Sequence, residues 1–186
     1  MACALAQSID LRHAGKFGPA RKLGEQTFER YRQSLGEHHP YTLSALFDLA
    51  VTLRLLGDAV GARQLDERSL EQFRATLGPD HPYAIVSAIN LASDLAALGE
   101  SEAALALGTE ALGRAQRVLG DDHPTTLAAT MNLVLDLRTL GRTQTAETKY
   151  VEVATRYRHV LGDKHPATRD GAAGVRANCE IDPLPL

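Results

Sequence analysis

Leu119-Gly120-Asp121-Asp122-His123-Pro124 is the phrase that decides the fold, because the chain writes it four times. It stands earlier as Leu35-Gly36-Glu37-His38-His39-Pro40 and Leu77-Gly78-Pro79-Asp80-His81-Pro82, and later as Leu161-Gly162-Asp163-Lys164-His165-Pro166. Each copy lies 42 residues from the next. Gly15, Gly57, Gly99 and Gly141 keep the same interval, the last three preceded by Leu. A fixed period of about 20–50 residues marks a chain built from stacked repeats, in which each unit buries its apolar face against its neighbours.

Outward from the phrase, each period resolves into two helices. Pro82 suits a first helical position, where its missing N–H costs nothing. Ala84, Ala88, Leu91, Leu95 and Leu98 follow at spacings of three and four, with Ile85, Ile89 and Ala92 widening the stripe. Gly99 ends this helix in a left-handed cap, and a second helix is predicted from Ser101 to Leu119. The same plan gives Pro40 to Leu56 with Asp58 to Leu77, and Pro124 to Leu140 with Arg142 to Leu161. Ala62, Ala104 and Ala146 recur where helices must approach closely, as do Ala50 and Ala92.

The expected units are 1–39, 40–81, 82–123 and 124–165, with a capping helix over 166–178 and a flexible tail over 179–186. Counting back from Pro40 places Met1 a few residues inside a first helix, whose companion runs from Phe17 to Leu35. A start within a repeat is expected of a piece of a longer protein.

The bulk numbers fit a folded helical domain: 44% hydrophobic, 23% charged and 5% aromatic residues among 186. A formal net charge of −3 recommends neither nucleic acid nor a membrane surface as partner. Cys3 and Cys179 sit near opposite ends of the array, so a disulfide between them is not expected and a reducing cytoplasm is the simpler location. There is neither a basic-then-apolar leader nor an 18-residue apolar run.

Helix pairs with Leu-Gly at the inner turn and Ala early in the second helix resemble tetratricopeptide repeats (TPRs). The 42-residue period departs from the usual length of about 34. Together with Leu-Gly-x-x-His-Pro between units, and with Asn90-Leu91 and Asn132-Leu133 in the first helices, it resembles the kinesin light chain variety, also carried by bacterial, notably actinobacterial, arrays. The resemblance implies an all-α, right-handed helical-repeat solenoid. It also implies a concave groove, lined by the first helix of each pair, that grips a peptide segment of a partner.

A helical wheel is consistent with that implication. Beside the core stripe lie Phe47, Asp48, Val51 and Arg54 in the second unit, then Ile89, Asn90 and Ser93 in the third. Met131, Asn132, Leu135 and Arg138 follow in the fourth, and Arg12 in the first. An Asn amide can donate to and accept from a ligand backbone, and the Arg fork at Arg12, Arg54 and Arg138 suits carboxylates. A partner with apolar anchors and acidic residues is therefore expected. The alternative stays open at each point: the Asn residues can bond a neighbouring helix, the Arg residues can pair with acids such as Asp48, and Phe47 and Met131 can be core.

Other chemistries find little support. His39, His81, His123 and His165 recur one repeat apart, and stacked helices lie about 8–10 Å from one another. Zinc needs nitrogen at about 2 Å, so these residues form a row and no metal is expected. Their expected role is to satisfy orphan backbone groups in the turn. No phosphate loop and no His-Glu-x-x-His motif occurs, and neither catalysis nor a cofactor is expected. The leading expectation is a noncatalytic protein-interaction scaffold. Two others stand beside it: the regulatory C-terminal repeats of a larger nucleotide-dependent switch protein, and a self-assembly module.

Overall fold

A computed structural model describes residues 2–180, with side chains from residue 4 onward. Helices alternate with short turns: α1 (Ala2–His13), α2 (Phe17–Leu35), α3 (Pro40–Leu55), α4 (Ala59–Leu77), α5 (Pro82–Ala97), α6 (Ser101–Leu119), α7 (Pro124–Thr139), α8 (Thr143–Leu161) and α9 (Pro166–Ala172). No strand occurs among the described residues. The chain divides into two compact units, Met1–Ser87 with Glu180–Leu186 and Ala88–Cys179, the boundary falling inside α5.

The repeated phrase has a definite construction. At its glycine the second helix of a pair ends with φ near +90°, as at Gly120 (φ 88°, ψ 162°), a region essentially closed to residues bearing a Cβ. The His that follows caps the next helix. His39, His123 and His165 are extended, and each Nδ1 accepts the backbone N–H two residues on, from Tyr41, Thr125 and Ala167, at 3.2 Å. His81 does the same for Tyr83 at 3.2 Å. An imidazole thus fills the role usually taken by Ser, Thr or Asp, and Pro at the next position is already set for a helix. The Leu-Gly turn inside each pair is different: Gly99 (φ 81°) lets Glu100 N–H reach Leu95 C=O at 2.9 Å, a Schellman-type stop.

In the first unit α1 packs on α2 and α3, α2 on α3, and α3 on α4. Its interior includes Leu43, Leu46, Phe47, Val51 and Phe73, all at most 2% exposed. Tyr31 and Phe73, one repeat apart, meet Tyr41 and Tyr83 edge-on at centroid distances of 6.3 and 5.5 Å. In the second unit α7 packs between α6 and α8, and α8 carries α9. Leu127, Met131, Val134 and Val153 are its most enclosed large side chains. Burying a side chain of this size contributes about 1.5–3 kcal/mol, so the apolar face of each helix is the main source of stability. Ala20, Ala62, Ala104 and Ala146 are all fully buried at one repeat position, where a larger side chain would hold the helices apart.

The end of the array differs from expectation. A capping helix to residue 178 does not form; α9 stops at Ala172. Gly174 takes φ 74°, and Val175 N–H closes on Asp170 C=O at 2.9 Å, the same glycine-based stop that ends the first helices. Residues 175–180 then run without helix. Cys179 is buried and Glu180 is half-buried, so neither belongs to a loose tail. Residues 181–186, and the side chain of Cys3, lie outside the described residues.

Candidate functional site

In the second unit the two asparagines from α5 and α7 face the chain's own segment 175–179. Asn90 Nδ2 donates to Cys179 C=O at 2.8 Å, and its Oδ1 accepts Cys179 N–H at 3.0 Å. Asn132 treats Ala177 in the same way, at 2.9 and 2.8 Å. Each amide satisfies both backbone groups of one residue, and the residues read are two apart. In an extended chain such residues point the same way and lie about 6.8 Å apart. Helices in contact are separated by about 8–10 Å, so side chains of Asn length bridge the difference. Asn132 Nδ2 also lies 3.4 Å from Ser93 Oγ, but its main partner is the backbone of Ala177.

One turn beyond Asn132, Asp136 is only 2% exposed and forms an ion pair with Arg176 Nη2. Burial pushes its carboxyl above the ordinary aspartate range, against the opposing pull of Arg176. Cys179, 6% exposed, is the most enclosed residue of the segment. Burial, with a smaller contribution from Cys179, holds the Tyr157 phenol above the usual range. Leu135 is half-buried and reaches the turn at Gly174. Sequence reasoning found the asparagines but missed Asp136, Arg176, Ala177 and Cys179. Asp136 follows Asn132 by four residues and so shares its helix face, a signal that was there to use.

The first unit has its own polar cluster. Arg12, 4% exposed, donates through Nη1 to Asp48 Oδ1 at 2.6 Å and Thr52 Oγ1 at 3.2 Å, and through Nη2 to Glu180 Oε1 at 2.9 Å. His13 Nε2 lies 3.6 Å from Glu180 Oε2. Burial raises the Asp48 carboxyl above its ordinary range despite Arg12.

The remaining sequence-derived residues sort by burial. Phe47, Val51, Ile89 and Met131 are at most 2% exposed, which puts them in the packed interior. Ser93 is buried and donates to Ile89 C=O at 3.2 Å. Arg54 pairs with the fully buried Asp66 at 2.5 Å. Arg138 pairs with Glu147 at 2.8 Å and lies over the Tyr150 ring, 4.7 Å from its centroid. All three guanidinium groups expected to meet an acidic partner are thus engaged by acids of this chain. Among the described residues no group of three or more His, Cys, Asp or Glu is placed to hold a metal. No described helix is long and apolar enough to cross a membrane.

Helix pairs at a 42-residue period, opened by His-Pro from the second onward and closed by Leu-Gly, define an all-α helical-repeat protein of the solenoid class. The chain belongs to the tetratricopeptide repeat family, whose model matches residues 1–65, 51–117 and 90–159. A crystal structure of nearly identical TPR-like repeats assigned to a kinesin light chain of Podosopora anserina matches with a TM-score of 0.74 at 22% identity, over 93% of this chain and 82% of that one. A glutamine-to-methionine variant of those repeats matches with a TM-score of 0.75 over the same shares. BtubC (BKLC) from P. vanneervenii matches with a TM-score of 0.71 at 18% identity, over 90% of this chain and 70% of that one. No curated protein matches the sequence.

Proposed function

We propose that this chain is a noncatalytic scaffold that holds an extended peptide segment of a partner along its first-helix face, in the groove that the family resemblance implies. Repeats of this family imply a protein-interaction role. The observation that supports the finer reading is the paired use of Asn90 and Asn132, each with donor and acceptor committed to one backbone residue of a non-helical segment, the two residues being two apart. Such contacts accept any side chain, so they supply affinity, and flanking groups supply selectivity.

A phage-displayed peptide selection on the purified Arg176→Glu chain, in which like charges at Asp136 release segment 175–179 from the asparagines, repeated with Asn90→Ala/Asn132→Ala added, tests the proposal. Four hydrogen bonds at about 0.5–1.5 kcal/mol each predict that selected peptides weaken by roughly 2–6 kcal/mol, a factor on the order of 30 to 20,000. Unchanged binding by a variant with unchanged helical circular dichroism would refute it.

A further inference from the structure

We infer that Arg176–Cys179 is an internal ligand of the Asn90/Asn132 site, and that the partner replacing it is a basic extended peptide. The partner carries a cationic side chain three residues before a small apolar one. The inference rests on the peptide-binding reading above and adds to it the charge of the ligand and the means by which the site is kept closed.

The charge follows from Asp136. Its carboxyl is 2% exposed, and the cation it pairs with, Arg176, belongs to the segment itself. A neutral or acidic chain entering the site would leave this carboxylate enclosed without a counter-charge, and that penalty rejects it. A partner with Lys or Arg at the same place satisfies it. Among the arginines expected to line the groove the opposite charge has no comparable seat, because Arg12, Arg54 and Arg138 are already held by Asp48, Asp66 and Glu147. The size preference follows from Cys179, whose enclosed side chain leaves room for a small residue two positions beyond the first one read.

The closure follows from connectivity. The segment begins directly after the turn at Gly174, which ends the short helix α9. A ligand on so short a tether acts at an effective concentration on the order of millimolar. A peptide in trans therefore meets a site already filled, and its apparent affinity falls by the fraction of molecules that are open. Backbone reading makes the exchange feasible, since the incoming chain takes over the same four hydrogen bonds.

The test is a fluorescence-anisotropy titration of a labelled peptide with the sequence of residues 174–180 against three full-length chains: wild type, Ala177→Pro and Arg176→Glu. Pro at 177 removes the N–H that Asn132 accepts, and Glu at 176 sets like charges together, so each should release the internal segment. We expect the peptide to bind both variants about tenfold or more tightly than wild type. A peptide with Glu in place of its Arg should fail to bind. Asp136→Asn introduced into the Arg176→Glu chain should abolish that discrimination. Equal binding to wild type and both variants overturns the closure. Binding that ignores the peptide's charge overturns the choice of partner. If the peptide binds neither variant while library-selected peptides still bind through Asn90 and Asn132, the internal-ligand inference fails and the peptide-binding reading survives; if neither binds, both fail. If Ala177→Pro loses helical circular dichroism, Arg176→Glu alone decides, since it leaves the backbone unaltered.

Discussion

Arg176→Ala isolates the contact that pins the terminal segment. The substitution removes the cation from Asp136, a carboxylate that is 2% exposed, while Arg176 itself keeps 23% of its side chain in solvent. If the segment stayed in place, the stranded charge would cost about 3–5 kcal/mol. The segment can instead lift away and admit water, at the expense of its four amide hydrogen bonds, about 1 kcal/mol each. Both routes lead to a loss of roughly 3–4 kcal/mol. Urea denaturation measures the loss, and hydrogen exchange at Ala177 and Cys179 shows whether the segment has lifted. In a double-mutant cycle with Asp136→Asn, the two substitutions should couple by about 1–3 kcal/mol. The pH dependence carries a further sign. Burial raises Asp136 above its ordinary value of 3.8, with Arg176 opposing. Between that value and the higher native one, the folded chain keeps a proton that the unfolded chain has released, so stability falls as pH rises through the window. Without Arg176 the native value climbs further and the window widens; with Asn at 136 this contribution disappears. An Arg176→Ala chain within about 0.5 kcal/mol of wild type, with protection at Ala177 and Cys179 intact, would refute the reasoning.

Substitutions at two further positions test the repeated turn. Gly120→Ala meets no atom within 4 Å, so its effect comes from the backbone at φ 88° alone. A loss of about 1–3 kcal/mol is expected in thermal or urea unfolding, and a neutral result would mean that the turn relaxes. His123→Ala removes the acceptor of Thr125 N–H and should cost about 0.5–2 kcal/mol, while His123→Asn, which keeps an N-cap acceptor, should recover most of it. Equal losses from the two would point to imidazole packing in place of the cap.

The arrangement of helices was legible because it rests on local rules. Pro40, Pro82, Pro124 and Pro166 open helices, Leu35, Leu77, Leu119 and Leu161 close them, and the glycines between take conformations that only glycine enters readily. The histidine caps were legible for the same reason, since each reaches only two residues along its own chain. Asn90 and Asn132 stood out by their period. What they hold did not, because residues 175–180 carry no periodic pattern to announce a place.

Sequence alone therefore determined the repeat, the boundaries of α2 to α8 within a residue or two, and the family. The tertiary structure decided which polar groups meet. Asn90 finds Cys179 at a separation of 89 residues, Asn132 finds Ala177 at 45, and Arg12 finds Asp48 at 36. It also engaged three arginines, expected as ligand contacts or as partners of nearby acids, in internal ion pairs, and ended α9 early enough to leave residues 175–180 non-helical. The physical reason is one of range. Helix starts, stops and caps are fixed by dihedral preferences and hydrogen bonds a few residues long. The partner of a buried charge or amide is fixed only when packing brings distant stretches together, and desolvation then makes leaving it unpaired too costly.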